Sequence, residues 1–381
     1  MSSSQAMRDP WLLTPGPLTT SASVKQAMLR DWGSRDASFI ALTRDVRERL
    51  TQLANGSGSH VCVPVQGSGT FAIEATLGTL IARDSKTLVL INGAYGERMV
   101  KILDYQKHAH AELCWAEDQP VDAEQLRAKL LADDALTHVL VVHCETTSGI
   151  LNPIEDIAAV CKDFEVSLIV DAMSSFGALD VDVAKLAIDA VVASSNKCLE
   201  GAPGLGFAII REAVLAACAD HAHSLSLDLY DQWQGFSHNN QWRFTPPTHV
   251  LAALHQALIE HEAEGGVSGR GARYRHNMAI LVEGMRKLGF RPLLPAALQA
   301  PIIMTFHMPS DPTFNFEVFY DQLASLGFVI YPGKLTVANS FRIGCIGRLG
   351  EAEMRGALAA INATLSAMNV NLNPSEKGKA A

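Results

Sequence analysis

Lys197 sits between an apolar run, Val191-Val192-Ala193, and a loop of small and turn-forming residues, Gly201-Ala202-Pro203-Gly204. Those flanks give its ammonium no reason to face water, and burial lowers a lysine's pKa so that a neutral amine is free to attack a carbonyl. Four other segments share this setting, each directly after a short apolar run. Gly67-Ser68-Gly69-Thr70 precedes a helical pattern, so its small residues, hydroxyls and helix-start amides suit a phosphate. Asn92-Gly93-Ala94-Tyr95-Gly96 supplies an aromatic ring, Thr146-Thr147-Ser148 supplies three hydroxyls, and Asp171 follows Leu168-Ile169-Val170. Taken singly, each has a plainer explanation: tight packing for the glycines, a turn for the tyrosine, a helix cap for the aspartate. Gly67, Gly69 and Ala72 also fit the G-x-G-x-x-A of a dinucleotide fold, but that reading wants an acid at the end of the next strand, where the chain has Ile91-Asn92-Gly93. Together they are the parts that pyridoxal 5'-phosphate requires. The loop cradles the phosphate, the tyrosine stacks on the ring, and the lysine meets the aldehyde. The aspartate keeps the pyridine nitrogen protonated, which makes the ring an electron sink.

For these residues to meet, the runs that precede them must be strands of one sheet. Segments 61–65, 87–91, 138–143, 167–170, 190–193 and 206–210 read as buried strands, and 71–82, 97–105, 123–131 and 154–164 as helices between them. Continuous Val/Ile/Leu runs alternating with helices predict a mostly parallel sheet covered on both faces. In such α/β sheets, ligands bind at the carboxyl ends of the strands. A helix over 247–264 ends at Gly265-Gly266, and a long helix over 270–288 leads into a smaller α/β part with strands at 301–307, 328–331 and 340–343 and helices at 316–326 and 351–368. The expected division is an N-terminal arm (1–20), a large cofactor-binding domain (21–268), a small C-terminal domain (269–370) and a flexible tail (371–381).

Composition narrows the function classes. Of 381 residues, 48% are hydrophobic and 19% charged, which excludes a disordered chain. Thirty-one basic against 40 acidic residues give a net charge of −9, with no dense Lys/Arg run, so no nucleic-acid partner is expected. No apolar run approaches the roughly 18–20 residues that span a bilayer, and Trp11-Leu12-Leu13 is cut short by Pro15, Gly16 and Pro17 before it could form an export signal. Seven cysteines without a C-x-x-C read as reduced thiols of a cytoplasmic protein. His108-Ala109-His110 and His221-Ala222-His223 come nearest to metal-ligand spacing, but neither has a second cluster in register, and no metal is expected.

Ten stretches carry a resemblance that spans nearly all of 12–367: LLTPGPLTT from Leu12, QGSGTFAIEA from Gln66, NGAYGERM from Asn92, HCETTSGILNPI from His143, VDAMSSFGA from Val170, SSNKCLEGAPGLGF from Ser194, SLSLDLYDQW from Ser224, RFTPPTH from Arg243, YPGKLT from Tyr331 and FRIGCIG from Phe341. In these the chain resembles the class-V, fold-type-I aminotransferases, which depend on pyridoxal phosphate. The LEG after the lysine and the SLDLYDQW block point to the branch that moves the amino group of 2-aminoethylphosphonate to pyruvate, giving phosphonoacetaldehyde and L-alanine. The resemblance implies that Lys197 holds the cofactor and Asp171 faces its ring nitrogen. It implies further that Ser68, Gly69 and Thr70 bind the phosphate and that Tyr95 stacks on the ring. One hydroxyl of 146–148, with Thr146 favoured, would meet the ring oxygen. Thr245 would reach the cofactor phosphate of the neighbouring subunit in a homodimer, and Arg342 would bind the substrate anion, with backbone amides near Thr14 to Thr19 as further donors. The stretch 31–36 departs from the family, which more often has acidic residues there and a tryptophan in place of Arg35.

Other chemistries fit parts of the pattern. An alanine–glyoxylate or serine–pyruvate aminotransferase shares the cofactor site and the arginine. A cysteine desulfurase needs a nucleophilic cysteine on a mobile loop, for which Cys345 is the late candidate. A non-catalytic cofactor-binding protein would not need both Lys197 and Asp171.

Overall fold

A seven-stranded sheet organises the larger part of the chain in the computed structural model, which describes residues 9–335 and 338–372. Its strands are β1 His60–Gln66, β2 Lys86–Ile91, β3 Ala109–Cys114, β4 Leu136–Val142, β5 Ser167–Asp171, β6 Ala190–Ser194 and β7 Leu205–Arg211. They lie in the order β1-β7-β6-β5-β4-β2-β3. Alternate residues of each central strand enter two different cores. Leu88, Leu90, Val139, Val141, Leu168, Val170 and Val191 face one layer of helices, while Val89, Ile91, Leu140, Val142, Ile169 and Val192 face the other. This is the period of two with both faces buried, and it is why these strands are apolar throughout. Helices Ala37–Leu53, Ile154–Asp163 and Thr248–Ala263 cover the first face, and helices Gly69–Leu80, Ala94–Gln106 and Leu229–Asn239 the second.

Six strands run in one direction and β7 runs against both of its neighbours. No helix intervenes between β6 and β7, and without a crossover the chain can only return antiparallel. The loop that makes this return carries Lys197. One strand, β3, lies outside the predicted set: it sits at the sheet edge, exposes alternate residues and has no continuous apolar run. It contains His110 and follows His108, whose ring stands 4.8 Å from that of His223. The fold therefore sets one histidine of each His-x-His motif side by side, a pairing not visible in the sequence, where neither motif has a second cluster in register. Among the described residues no group of three or more His, Cys, Asp or Glu is arranged to hold a metal.

A second, antiparallel sheet is built from β8 Ile303–His307, β9 Tyr331–Pro332 and β10 Ser340–Gly344, with β10 in the middle. Its core is a cluster of phenylalanines in which Phe290 and Phe341 are 5.4 Å apart and Phe306 stacks on Phe341 at 5.8 Å. The strand predicted over 328–331 is split. Phe328–Val329 pairs in parallel with Trp11–Leu12, and only Tyr331–Pro332 joins the sheet. The break falls at Ile330, which is buried in the phenylalanine core. Residues 11–13 of the N-terminal arm thus pack beside the smaller sheet, with Leu13 in its core. The long helix, Gly266–Lys287, begins directly at the glycine pair, earlier than predicted. The expected tail over 371–381 lies outside the described residues apart from Asn371 and Leu372. No helix among the described residues is long and apolar enough to cross a membrane.

Candidate active site

Five of the six parallel strands end at one place. There Gly16, Ser68, Gly69, Thr70, Tyr95, Arg98, Cys144, Asp171, Met173, Asn196 and Lys197 line a single cavity. Lys197 is half-buried and makes no ion pair among the described residues, and burial lowers its pKa. The N-terminal arm closes over it. Gly16 has φ +126°, and a Cβ there would stand 2.6 Å from Lys197 Cδ, so only glycine allows the arm this close.

The turn that presents Lys197 is held from behind. Glu200 N–H donates to the Lys197 carbonyl at 2.8 Å, and Glu200 adopts φ +62°, which costs a side-chain-bearing residue roughly 1–2 kcal/mol. Its buried carboxylate accepts from Arg273 at 2.7 Å and from the Tyr274 hydroxyl at 2.6 Å. Arg270, only 1% exposed, donates to the Cys198 carbonyl at 2.5 Å, and both arginines grip Glu264. Burial alone would raise the Glu264 carboxyl, but Arg273 and Arg270 outweigh it and hold it at about 2. The network ties the lysine turn to helix Gly266–Lys287.

Asp171 ends β5 on a buried strand. One oxygen accepts from Met173 N–H at 2.9 Å, and the other takes no hydrogen bond among the described residues. Burial raises its carboxyl to about 6, against the Met173 hydrogen bond and the charges of Lys197 and Arg98. The folded protein therefore binds more protons here than the unfolded chain between about pH 4 and 6, and stability falls as pH rises through that window. Asp171→Asn removes this cost, so the cofactor-free variant should be more stable than the cofactor-free wild type by about 1–3 kcal/mol near pH 8 and no more stable near pH 4. Equal melting temperatures at the higher pH would contradict that reading of Asp171.

Helix Gly69–Leu80 starts at Ser68, whose side chain caps nothing. A Cβ at Gly69 would strike Met173 Sδ at 2.4 Å, so only glycine lets Met173 pack this close to the helix start. Thr70 Oγ1 accepts from Arg98 at 3.2 Å, and the Arg98 guanidinium lies 4.8 Å from the Tyr95 ring centroid. Arg98 was missed in the sequence. Its only signal is its place one helical turn after Tyr95, which points both side chains the same way.

Thr146-Thr147-Ser148 forms the fully buried loop of a hairpin, Cys144–Glu145 against Ile150–Leu151. Thr147 is spent internally: its hydroxyl donates to Glu145 at 2.6 Å and accepts from Ala94 N–H at 3.0 Å. Thr146 Oγ1 and Ser148 Oγ are buried without a hydrogen-bond partner among the described residues. Arg342, on β10, reaches the same loop from the smaller sheet. It is 2% exposed, donates to the Thr146 carbonyl at 2.8 Å and the Pro332 carbonyl at 3.0 Å, and pairs with no carboxylate among the described residues.

Neither Thr146 nor Arg342 lines the cavity itself, and two further expected residues stand apart from it. Thr245 is exposed on the segment before helix Thr248–Ala263, beside half-exposed Phe244, and does not line the cavity of its own chain. Cys345 is fully buried, donates to the Ile302 carbonyl at 3.4 Å and has its pKa pushed far up by burial, which is the opposite of a mobile nucleophile.

The donor set fits pyridoxal phosphate. A buried carboxylate keeps one oxygen open for a ring N–H, and the buried hydroxyl of Thr146, beside Tyr95, would meet the ring oxygen. A lysine that makes no ion pair among the described residues shares the cavity with a helix start that carries Ser68 and Thr70, to which Arg98 reaches from helix Ala94–Gln106.

The chain matches the family model described as Aminotransferase class-V over residues 20–317. It is 55% identical over 363 residues to a 2-aminoethylphosphonate–pyruvate transaminase of Burkholderia pseudomallei (strain 668), covering 95% of this chain and 98% of that one. It is 53% identical over 361 residues to 2-aminoethylphosphonate–pyruvate transaminase 2 of Burkholderia lata, covering 95% and 96%. Among solved structures, a ureidoglycine–glyoxylate aminotransferase of Bacillus subtilis superposes with a TM-score of 0.88 at 24% identity, covering 97% of this chain and 96% of that one.

Proposed function

The chain belongs to the class-V aminotransferase family, and from that premise we propose that it transfers the amino group of 2-aminoethylphosphonate to pyruvate, producing phosphonoacetaldehyde and L-alanine. The observation that carries this reading is 55% identity, sustained over 95% of the chain, to a relative named for that reaction. The fold is that of the fold-type-I aminotransferases, a large mostly parallel sheet domain with a smaller α/β domain after it. The cofactor is pyridoxal 5'-phosphate. When bound, it supplies an aldehyde for the amino group and a ring that withdraws charge from the adjacent carbon.

The residues take the following roles. Ser68, Gly69, Thr70 and Arg98 hold the phosphate at the helix start, where backbone amides and a guanidinium meet its charge. Tyr95 stacks on the ring, and Thr146 hydrogen-bonds the ring oxygen. Asp171 keeps its carboxylate against the ring nitrogen and holds a proton there. Lys197 would anchor the cofactor, and its neutral amine would take the proton from the substrate carbon that bears nitrogen. The large unit over 21–268 thus carries the cofactor, and the unit over 269–370 carries Arg342 for the substrate anion. The seven cysteines are all free thiols, six of them buried, which suits a cytoplasmic enzyme. The test of the activity is one half-reaction: 2-aminoethylphosphonate without pyruvate should bleach the visible band of the bound cofactor and release phosphonoacetaldehyde in equal amount. An unchanged spectrum would contradict it.

Arg342 serves both substrates, because its planar fork binds two oxygens of a phosphonate or of a carboxylate. Arg342→Lys keeps the charge and loses the fork. It should weaken kcat/KM for both 2-aminoethylphosphonate and pyruvate by about 1.5–3 kcal/mol, the value of a charged hydrogen bond. Unchanged values for both would place the anion site elsewhere.

Thr245 and Phe244 are exposed in the isolated chain because they belong to a homodimer, in which Thr245 meets the partner's cofactor phosphate. Thr245→Ala should weaken cofactor binding by about tenfold, read from quenching of intrinsic fluorescence on titration of the cofactor-free protein. A fully active monomer in sedimentation would overturn this assignment.

A further inference from the structure

We propose that Lys334 is the second positive charge of the substrate anion site and that, with Arg342, it selects a doubly ionised phosphonate over a carboxylate. The proposal rests on the aminotransferase reading above and deepens it. Tyr331 pairs with Arg342 and Pro332 with Phe341 in the smaller sheet, and the Arg342 guanidinium grips the Pro332 carbonyl at 3.0 Å. Arg342 therefore fixes the turn that carries Lys334, two residues on. Lys334 is exposed overall, yet its Nζ lies 5.5 Å from the centroid of the Tyr95 ring, in the larger domain. Arg98 lies 4.8 Å from the same ring. Arg98 and Lys334 thus flank the tyrosine at the cavity, and the charge of Arg342 also acts on it.

The nearby carboxylate, Glu145, acts on Arg342 through its charge but forms no ion pair with Arg98, Arg342 or Lys334 among the described residues. Glu145 has one oxygen engaged by the Thr147 hydroxyl and N–H at 2.6 and 3.1 Å and the other by Tyr95 N–H at 3.1 Å. If Arg98 serves the cofactor phosphate, Arg342 and Lys334 remain for the substrate.

Their number matches one substrate better than the other. The carboxylate of pyruvate or alanine is a planar monoanion that one guanidinium fork satisfies. A phosphonate resembles a phosphate in carrying three acceptor oxygens and losing its second proton near pH ~6, so at neutral pH it is largely a dianion. An Arg fork leaves one oxygen and one charge unmet. An ammonium on a flexible stem supplies both, without demanding the flat geometry of a fork.

The test compares the two half-reactions of the holoenzyme, each followed by the cofactor's absorbance. Lys334→Gln should lower the second-order rate constant for 2-aminoethylphosphonate by about 10- to 100-fold, and that for L-alanine by at most about threefold. Lys334→Arg, which restores the charge, should bring the phosphonate rate to within about threefold of wild type. An equal fall for both amines would make Lys334 a support for Tyr95 and overturn the proposal, and so would no change for either. If the wild type does not react with 2-aminoethylphosphonate at all, the substrate reading itself falls and takes this assignment with it. If the wild type reacts and the ratio of the two rates is unmoved in Lys334→Gln, the assignment of Lys334 alone is overturned.

Discussion

Replacing Lys197 by alanine is expected to lower kcat by at least about 10⁴-fold, because one side chain supplies both the covalent anchor and the base that moves the substrate proton. The reason lies in its setting. Its pKa is lowered by burial, which outweighs the opposing charge of Asp171, it makes no ion pair among the described residues, and its turn is locked by Glu200, Arg270 and Arg273. The variant should still bind the cofactor, since the helix start at Ser68 and the stacking ring of Tyr95 remain, but without the visible band of the lysine-linked form. Borohydride reduction of the wild type followed by peptide mapping should place the cofactor on Lys197. Attachment to Lys185 or Lys334 would overturn the assignment.

Asp171→Asn should be nearly as damaging, with kcat lowered by about 10²–10³-fold or more, as for the loss of a preorganised charged contact in a low-dielectric site. The amide keeps the shape of the carboxylate and loses the charge that holds a proton on the ring nitrogen. The carboxyl is already costly to keep ionised, since burial raises it to about 6, and a cationic partner would bring it back down. The same substitution is thus expected to stabilise the empty protein and to disable the loaded one. Near-wild-type turnover would reduce Asp171 to a structural cap on Met173 N–H.

Much of this site was legible in the sequence because it lies at the ends of strands buried on both faces. Such strands read as continuous apolar runs, and the residues just beyond them had to converge. Lys197, Asp171, Tyr95 and the Ser68 loop were found in this way, and the structure brings all of them to one cavity. The edge strand Ala109–Cys114 was not legible, because half of it faces water and its composition is that of a surface segment. The reversal of β7 was also hidden, since strand direction leaves no trace in residue type. Arg98 escaped because its place depends on a helix from elsewhere bringing Thr70 to it. Glu145 and Glu200 escaped for a similar reason: a buried acid is recognisable only by its partners, and those lie as far away as Tyr95, Arg273 and Tyr274. Residue pattern alone marked Arg342 as a charge inside an apolar strand. The role proposed for it, binding the substrate's anion, rests on the family resemblance, and the structure adds that it reaches the loop of Thr146.

Substrate choice is tested by competition between amino donors and acceptors on the purified holoenzyme. With 2-aminoethylphosphonate and pyruvate, the enzyme is expected to form stoichiometric phosphonoacetaldehyde and L-alanine, at a kcat/KM for the donor at least about 100-fold above that for alanine with glyoxylate, the span expected of a charged contact that only the phosphonate makes. A preference for alanine with glyoxylate would contradict it and move the chain to another branch of its family.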